Sequence, residues 1–261
     1  MLDEFNVTTF DQFVATFAQV LPTIEMNAGQ RWVQRQVLSK FANGPELARL
    51  IQSAWDVLTR DRLAEELEKL GKKLPQLKGG KTESVSVPLS AAVKSFNQLL
   101  KQVYDRYENL SGKEKQAYSW VPVVTYNAAK AAALDIRLVY PQAKDDPGSK
   151  VNTLVGRAVA IYRKTGDNKS AQLLFCDSFN HVNMTKLTSF VSGQAVQLDI
   201  EEDAESAVIE DMFLYKDIKR KLMEQGVPEH EIAIVKDYKT TDQREALFER
   251  VNRGEVRILI G

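Results

Sequence analysis

The chain has 261 residues, enough for one large domain or two smaller ones, and its composition is ordinary for a soluble globular protein. Lys plus Arg and Asp plus Glu both number 35, so the formal net charge is zero and no overall field draws the chain toward nucleic acid or anionic lipid. No apolar run reaches the roughly 18 residues that span a bilayer, the N-terminus lacks the layout of a secretion signal, and a single cysteine cannot form an internal disulfide framework. We therefore expect a cytoplasmic protein with no membrane partner.

The first part of the chain is predicted to be mostly helical. Thr9 and Gln12 have capping-box spacing, and the apolar side chains that follow, as far as Val20, recur on one helical face. A second helix is predicted to begin at Gly44-Pro45, because proline is tolerated in the first turn of a helix.

The next part of the chain changes pattern three times. The run RDRLAEELEKLGKKLP is predicted to be a helix that ends at Gly71. In KTESVSVPLS the period becomes two, which predicts a short strand, and Ser90 then caps a long helix with an apolar stripe.

The run YPQAKDDPGSK concentrates turn-forming residues and is the best linker in the chain, so we expect two domains, residues 1–140 and 141–261.

Beyond this linker the chain alternates helices and strands. Helices are predicted in KVNTLVGRAVAIYRKT, ESAVIEDMFLYKDIKRKLMEQG and TTDQREALFERVNRG, and strands in AQLLFCD, EIAIVKD and EVRILIG. Strands that alternate with helices of about 10 or more residues predict parallel βαβ units with right-handed crossovers, and therefore an α/β fold. Residues 178–203 interrupt the alternation and are interpreted as an insertion.

Two motifs resemble catalytic features only in part. The run GGKT at residues 79–82 lacks the earlier glycine of a phosphate loop, since Pro75 occupies that position, and a strand is predicted after it where a helix is needed. Cys176 ends a predicted strand, where a nucleophile could be displayed, but His181 and His230 have no obvious Asp or Asn partner that would make either of them an activating base. We interpret GGKT as a hairpin-like loop, Cys176 as a packed strand residue and the histidines as loop residues.

The candidate site residues follow from their positions in the predicted sheet. In an open parallel sheet, ligands bind outside the carboxyl ends of the strands. Thr240 and Thr241 open a helix beyond one of these ends, so their hydroxyls and the following amides could hold a phosphate, with Arg244 one turn later to add charge. Ordinary N-capping by Thr240 and a surface position for Arg244 are the alternative. The candidates for nucleic-acid binding are Asp177, Ser178, Phe179, Thr240, Thr241 and Arg244.

A resemblance to known proteins begins in FDQFVATFAQVL, continues in KKLPQLKGGKTESVSVPLSAAVKSFNQLLKQVYD and AAALDIRLVYP, and extends through SKVNTLVGRAVAIYRKTGDNKSAQLLFCDSF and IAIVKDYKTTDQREALFERVNRGEVRILIG. In this order the stretches resemble segments of the superfamily-two helicases, and within them the Snf-like translocases, from after the third motif to just before the fifth. Near counterparts of RKLMEQGVPEHEIAIVKD and LFERVNRGEVRILIG occur in the very large helicase–methyltransferase polypeptides of phages and plasmids.

The resemblance implies a partial RecA-like parallel sheet, the start of a second motor lobe, preceded by a mostly helical region with a short strand that ends the first lobe. It implies a fragment of an ATP-dependent DNA translocase that contributes phosphate-backbone contacts and inter-lobe structure and is not active alone. The strand-like end NRGEVRILIG is expected if the chain stops just before the fifth motif.

The resemblance also implies partners and cofactors. No cofactor is expected in this chain, whereas ATP and Mg²⁺ are expected for the full-length protein. The implied partners are DNA, bound weakly through its phosphates, the remaining segments of the motor lobes, and the methyltransferase domain that is linked in the phage and plasmid polypeptides.

The chain departs from the family pattern in several places. It has no phosphate loop, no acidic Walker-type motif and no arginine-finger motif, and Lys236-Asp237 replaces the usual His-Gly or Asp-Gly. A non-catalytic interaction module, with a docking surface on the helices before residue 140, is the alternative function. A small α/β enzyme that uses Cys176 is a third.

Overall fold

The structure, a computed structural model, describes residues 7–27, 29, 31–72, 77–176, 180–191 and 211–261. The chain divides into two compact units, Met1–Val85 and Ser86–Gly261. The first unit contains a β-hairpin and helices, and the second contains a three-stranded parallel sheet whose strands alternate with helices. The chain is therefore of the mixed α/β class, as the sequence predicts. Among the helices that the structure describes, none combines the length and the hydrophobicity that crossing a bilayer requires.

The first unit begins with a helix that runs directly into a hairpin. Its elements are α1 (Phe10–Phe17), β1 (Ala18–Met26), β2 (Trp32–Phe41), α2 (Gly44–Ala54) and α3 (Arg60–Lys69). Thr9 caps α1 in a capping box with Gln12, which confirms the sequence prediction. A small core joins Val7, Phe17 and Leu50.

The structure corrects two sequence predictions in the first 90 residues. The helical face predicted to reach Val20 ends at Phe17, because β1 begins at Ala18 and pairs antiparallel with β2. Pro22, which has no amide hydrogen for a helical bond, and the β-branched residues near it favour the extended form. The short strand predicted within residues 81–90 does not form in the described structure; residues 82–90 pair with no neighbouring strand, and alternation alone does not supply one.

The second unit contains most of the described helices. Its elements are α4 (Ala91–Glu108), α5 (Gly112–Ala117), α6 (Val121–Leu134), α7 (Lys150–Lys164), β3 (Gln172–Leu174), α8 (Thr185–Val191), α9 (Phe213–Glu224), β4 (Ile232–Ile234), α10 (Thr241–Asn252) and β5 (Ile258–Ile260). Ser90, Ser149 and Thr240 accept hydrogen bonds from first-turn amides of α4, α7 and α10, as N-caps do. The helix predicted to end at Gly226 does so, and Gly226 has φ of 91°, a conformation that favours glycine.

The three strands of the second unit form one parallel sheet in the order β3-β5-β4. Every residue of β4 and β5 is buried, as expected for strands covered on both faces. The predicted strand in EVRILIG forms as β5, which lies between β3 and β4.

One hydrophobic core extends through the second unit, from Phe96 on α4 to Ile260 on β5. The predicted linker belongs to this unit: Ala143 is fully buried, and Asp145 forms ion pairs. The compact division after Val85 thus differs from the boundary that the sequence suggests at residue 140. The assignment of residues 1–140 and 141–261 to two motor lobes stays a prediction.

Part of the predicted insertion is built into the same core. Residues 180–191 are described, and within α8 the side chains of Leu187 and Phe190 are buried. Phe190 packs on the ring of Tyr118, with 4.9 Å between ring centres, and the Arg106 guanidinium lies 5.0 Å from its ring centre. The rest of the insertion, residues 178–179 and 192–203, lies outside the described residues.

Candidate nucleic-acid interface

The carboxyl ends of the three parallel strands lie at one edge of the sheet. Leu174, Ile234 and Ile260 are in register as the last residues of their strands. Beyond them, the Gly261 amide donates to the Leu174 carbonyl at 2.9 Å, and the Cys176 amide donates to the Gly261 carbonyl at 3.0 Å. Because ligands of open parallel sheets bind outside such an edge, the residues that follow β3 and β4 are well placed for binding.

Three of the predicted site residues cannot be located at this edge. Asp177, Ser178 and Phe179 lie outside the described residues. They follow directly after Cys176, which is hydrogen-bonded to the end of β5. Their part in nucleic-acid binding stays a prediction.

The other three predicted site residues lie together at the start of α10. Thr240 Oγ1 accepts a hydrogen bond from the Gln243 amide at 3.3 Å, and Gln243 Oε1 accepts one from the Thr240 amide at 3.2 Å. This is the ordinary N-capping that the sequence offers as an alternative. Thr240, Thr241 and Arg244 are nevertheless exposed, so capping does not remove them from contact with a ligand.

Arg244 supports the turn that follows β4. Its Nε donates to the Tyr238 carbonyl at 2.9 Å, which leaves other guanidinium hydrogens to donate elsewhere. The charges along the neighbouring chain are mixed, because Lys239 is followed by Asp242 in the first turn of α10. A carboxylate at that position opposes an anionic ligand, so any phosphate contact here is weak.

Cys176 is a packed residue. It is half-buried, forms no disulfide and packs against the core of the second unit, two positions beyond the end of β3. The His181 imidazole is engaged elsewhere: its Nδ1 is 2.9 Å from the Arg137 carbonyl oxygen, and its ring lies 4.5 Å from the ring of Phe213. This arrangement supports the packing interpretation of Cys176 over the enzymatic one.

A cluster of charges that the sequence analysis does not identify lies in the second unit, and all its members except the partly exposed Asp145 are buried. We name it the Arg137 cluster; its members are Asp135, Arg137, Asp145, Asp217 and Lys221. The Arg137 guanidinium donates to both carboxylate oxygens of Asp135, at 2.9 and 2.6 Å, and to Asp217 Oδ2 at 2.7 Å. Lys221 Nζ lies 2.8 Å from Asp145 Oδ2 and 3.1 Å from Asp217 Oδ2.

The Arg137 cluster joins three parts of the second unit: the segment after α6, the predicted linker and α9. Arg137 and Asp217 are each only 5 % exposed, so their charges need these partners. Burial alone would raise the pKa of Asp217. Arg137 and Lys221 lower it by more than burial raises it, so the pKa lies below its ordinary value. A signal existed in the sequence, since Asp217 and Lys221 are four residues apart on the buried face of α9.

A second buried cation anchors the start of β5. The Arg257 guanidinium lies 3.9 Å from the ring centre of Tyr162 and donates to the carbonyls of Tyr162 and Thr165 at 2.8 and 3.1 Å. The Tyr162 hydroxyl donates to Glu231 at 2.8 Å, and burial together with that carboxylate raises the pKa of Tyr162. Both clusters hold elements of the second unit together, and Arg257 lies at the start of β5, opposite the carboxyl end of that strand.

The GGKT segment does not form a phosphate loop. Lys78–Gly80 is a single 3-10 turn in which Gly79 and Gly80 have φ of 74° and 70°. Residues 82–90 after it form no helix, so no helix N-terminus directly follows the turn. Within the described part of the chain, no group of three or more His, Cys, Asp or Glu side chains is arranged to hold a metal ion.

No protein-family model, curated protein or solved structure matches the chain. The function is therefore inferred from the fold, the edge of the sheet and the resemblance in sequence.

Proposed function

We propose that this chain is part of a DNA translocase of the Snf-like superfamily-two type and contains the first half of its RecA-like second motor lobe. The observation that carries the proposal is the sheet order β3-β5-β4, in which parallel strands direct their carboxyl ends toward one edge. The start of α10 follows β4 at that edge and exposes two hydroxyls and a guanidinium. Exposed groups of this kind fit the sugar-phosphate backbone, which a motor grips without reading bases.

The proposed contacts with phosphate are few, and a neighbouring carboxylate weakens them. Thr241 and Arg244 donate to phosphate oxygens, while Asp242 repels them. Because the chain has zero net charge, no general attraction adds to these contacts. Binding is therefore weak, through phosphates only, and strongly dependent on salt.

We propose that this chain does not itself hold ATP or Mg²⁺. The GGKT turn has no helix behind it, and the described acidic residues form no metal-binding group. In the proposed motor, other segments of the two lobes hold the nucleotide, and this chain alone does not hydrolyse it. Those segments are its principal partners, and a linked methyltransferase domain is a further one.

The experiment that tests this proposal measures binding of the chain to a fluorescein-labelled DNA duplex by anisotropy, from low to physiological salt. We expect dissociation constants of roughly 10⁻⁴ to 10⁻⁶ M that weaken steeply as salt rises. Arg244→Ala should weaken binding further, whereas Arg253→Ala, at the far end of α10, should not. Tight binding that persists in high salt, or DNA-stimulated ATP hydrolysis by this chain alone, would contradict the proposal.

A second candidate function, a protein-interaction module, is supported by the hairpin of the first unit. The register places Val20 opposite Leu38 and Met26 opposite Trp32 on one face, and Ile24 lies between them. All five side chains are exposed. The other residues of this face between them are Pro22, Gln34 and Gln36, so the face has no charged side chain along this length. Apolar and aromatic surfaces without charge are typical of the centre of protein interfaces.

The candidate module is tested by the mass of the chain in solution, measured by light scattering over a range of concentrations. If the hairpin face binds a second copy, the mass rises toward that of a dimer as the concentration increases. Ile24→Lys should then abolish the rise, while Thr23→Lys, on the opposite face of the same strand, should not. A mass that stays monomeric throughout would argue against self-association through this face.

A further inference from the structure

One pair of residues in the first unit is chemically reactive in a way that the fold restrains. Asn43-Gly44 is the only Asn-Gly pair in the sequence, and it joins the end of the hairpin to α2, whose first residue is Gly44. Asn43 is exposed and has φ of 49° and ψ of 46°, a left-handed conformation that asparagine adopts more readily than most residues. Its side chain does not cap α2, and its Nδ2 donates to the Thr16 carbonyl at 2.7 Å.

The reaction open to this pair is loss of the side-chain amide. The Gly44 nitrogen attacks Asn43 Cγ and gives up its proton, the Cγ–Nδ2 bond breaks, and ammonia leaves behind a five-membered imide. Water then opens the imide to aspartate or isoaspartate at position 43, so one water is consumed for each ammonia released.

The surroundings of Gly44 leave its nitrogen accessible. Glycine has no Cβ to hinder the attack, and the first amide of a helix has no partner within the helix. A Cβ built on Gly44 would meet no atom within 4 Å beyond its chain neighbours and its own helix backbone. No neighbouring element therefore blocks the reaction at this residue.

The folded conformation of Asn43 nevertheless opposes the attack. Ring closure places the Asn43 Cβ and the Gly44 nitrogen on the same side of the Asn43 Cα–C bond, whereas ψ of 46° holds them on nearly opposite sides. Rotation about this bond would disturb the Asn43 carbonyl, which accepts from the Leu47 amide at 3.0 Å, and the bond to Thr16 resists movement of the side chain. The pair can therefore react only when the contact between the end of α1 and the start of α2 opens.

We infer that Asn43-Gly44 is a latent deamidation site, which the folded first unit protects and which reacts when that contact opens. The change is lasting, because a carboxylate at position 43 cannot donate to the Thr16 carbonyl and faces it with negative charge. Isoaspartate also routes the main chain through the former side chain, which lengthens the connection between the hairpin and α2. The inference is independent of DNA binding, since it involves none of the proposed contact residues.

The test follows the Asn43 amide in the whole chain, incubated at mildly alkaline pH in buffer and in guanidinium chloride. Trypsin releases the pair in the peptide FANGPELAR, whose mass rises by about one unit on deamidation. We expect steady loss of the amide in denaturant and much slower loss in buffer. Asn127, which precedes Ala128, is the internal control and should keep its amide over the same interval.

Gly44→Ala tests whether the reaction runs through the Gly44 nitrogen. The variant should fold, because Gly44 does not have a positive φ and its surroundings have room for a Cβ. It should largely prevent the loss of the amide in denaturant. Loss at the unaltered rate, or an Asn43 amide that survives denaturant in the unaltered chain, would overturn the site.

Two further variants test the protection by the fold. Phe17→Ala removes a fully buried side chain from the core of the first unit and should raise the rate in buffer toward the rate in denaturant. Ile258→Ala, at a fully buried position of the second unit, is the matched control and should leave the rate at Asn43 unchanged. Equal rates in buffer and in denaturant for the unaltered chain would overturn the protection.

Discussion

The two units of this chain use similar strand residues in opposite ways. In the hairpin of the first unit, Ile24 is 68 % exposed and Trp32 is 70 % exposed, whereas every residue of β4 and β5 in the second unit is buried. The hairpin is held by backbone pairing between β1 and β2, while the parallel sheet is held in addition by the core around it. Apolar strand composition therefore does not determine burial, and stability should respond very differently to changes in the two units.

The largest expected effect comes from removing a buried charge. Arg137→Ala leaves Asp135 and Asp217 buried with fewer cations, and loss of one partner from a buried pair costs about 3–5 kcal/mol of unfolding free energy. The matched change in the first unit is Arg35→Ala, which breaks the exposed 3.1 Å pair with Glu25 and should cost less than about 1 kcal/mol.

Urea unfolding followed by tryptophan fluorescence measures this difference. Trp120 is the half-buried tryptophan and belongs to the second unit, whereas Trp32 and Trp55 are exposed in the first, so the signal reports chiefly on the second unit. Circular dichroism reports on both units and checks Arg35→Ala. Equal losses for the two arginine variants would contradict the contrast between the units.

A slightly smaller effect is expected from the sheet itself. Ile258→Ala, at a fully buried site in β5, should lower the unfolding free energy by about 2–4 kcal/mol, through lost transfer energy and the cavity left behind. Ile24→Ala in the hairpin should change it by less than about 0.5 kcal/mol, because an exposed side chain loses little on truncation. The same urea unfolding measures both, and a large loss from Ile24→Ala would indicate that the hairpin face is covered.

The pH dependence of stability should also differ between buried and exposed acids. The folded pKa of Asp217 lies below its ordinary value of 3.8, so its stabilisation is complete above that value and is lost as the pH falls through the folded pKa. Asp217→Asn should therefore lower stability at pH 7 and reduce its further decline between about pH 5 and pH 2.

The control for this pH profile is Glu229→Gln. Lys219 lowers the pKa of Glu229 as well, but both groups meet solvent, so the change in the profile should be smaller. Unfolding midpoints measured at several pH values test the pair. An Asp217→Asn profile parallel to that of the unaltered chain would show that this carboxylate contributes no pH-dependent stability.

The smallest effect is expected at the helix caps, where the loss of unfolding free energy should be similar in the two units. Thr9→Ala and Thr240→Ala each remove the hydroxyl of a capping box, and each should cost about 1 kcal/mol. Replacement of either threonine by serine should restore most of the loss, because serine also caps. A cost several times larger at Thr240 than at Thr9 would mean that the turn after β4 contributes to the core.

Local signals in the sequence predict much of the second unit. Ser90, Ser149 and Thr240 mark the true beginnings of α4, α7 and α10, and the α/β alternation places all three parallel strands correctly. The helix caps depend on residues that are close in sequence, and the strands are apolar along their whole length because they are buried. Both signals can therefore be seen in one sequence.

The hairpin and the Arg137 cluster cannot be predicted from such local signals. Both faces of β1 and β2 are exposed, so no period of two distinguishes them from a helix, whereas residues 81–90 show that period without a strand to pair with. Arg137 and Asp217 are 80 positions apart, and no local pattern joins them.

The middle position of β5 has a consequence for the order of folding during synthesis. Among the described strands, β3 and β4 do not pair with each other, and each pairs with β5, which the ribosome makes last of the three. Residues 172–174 and 232–234 must therefore wait for residues 258–260 to emerge before the sheet can close. Until then these apolar strands depend on helices or chaperones for cover, so nascent chains halted before β5 should aggregate more readily than those halted after it.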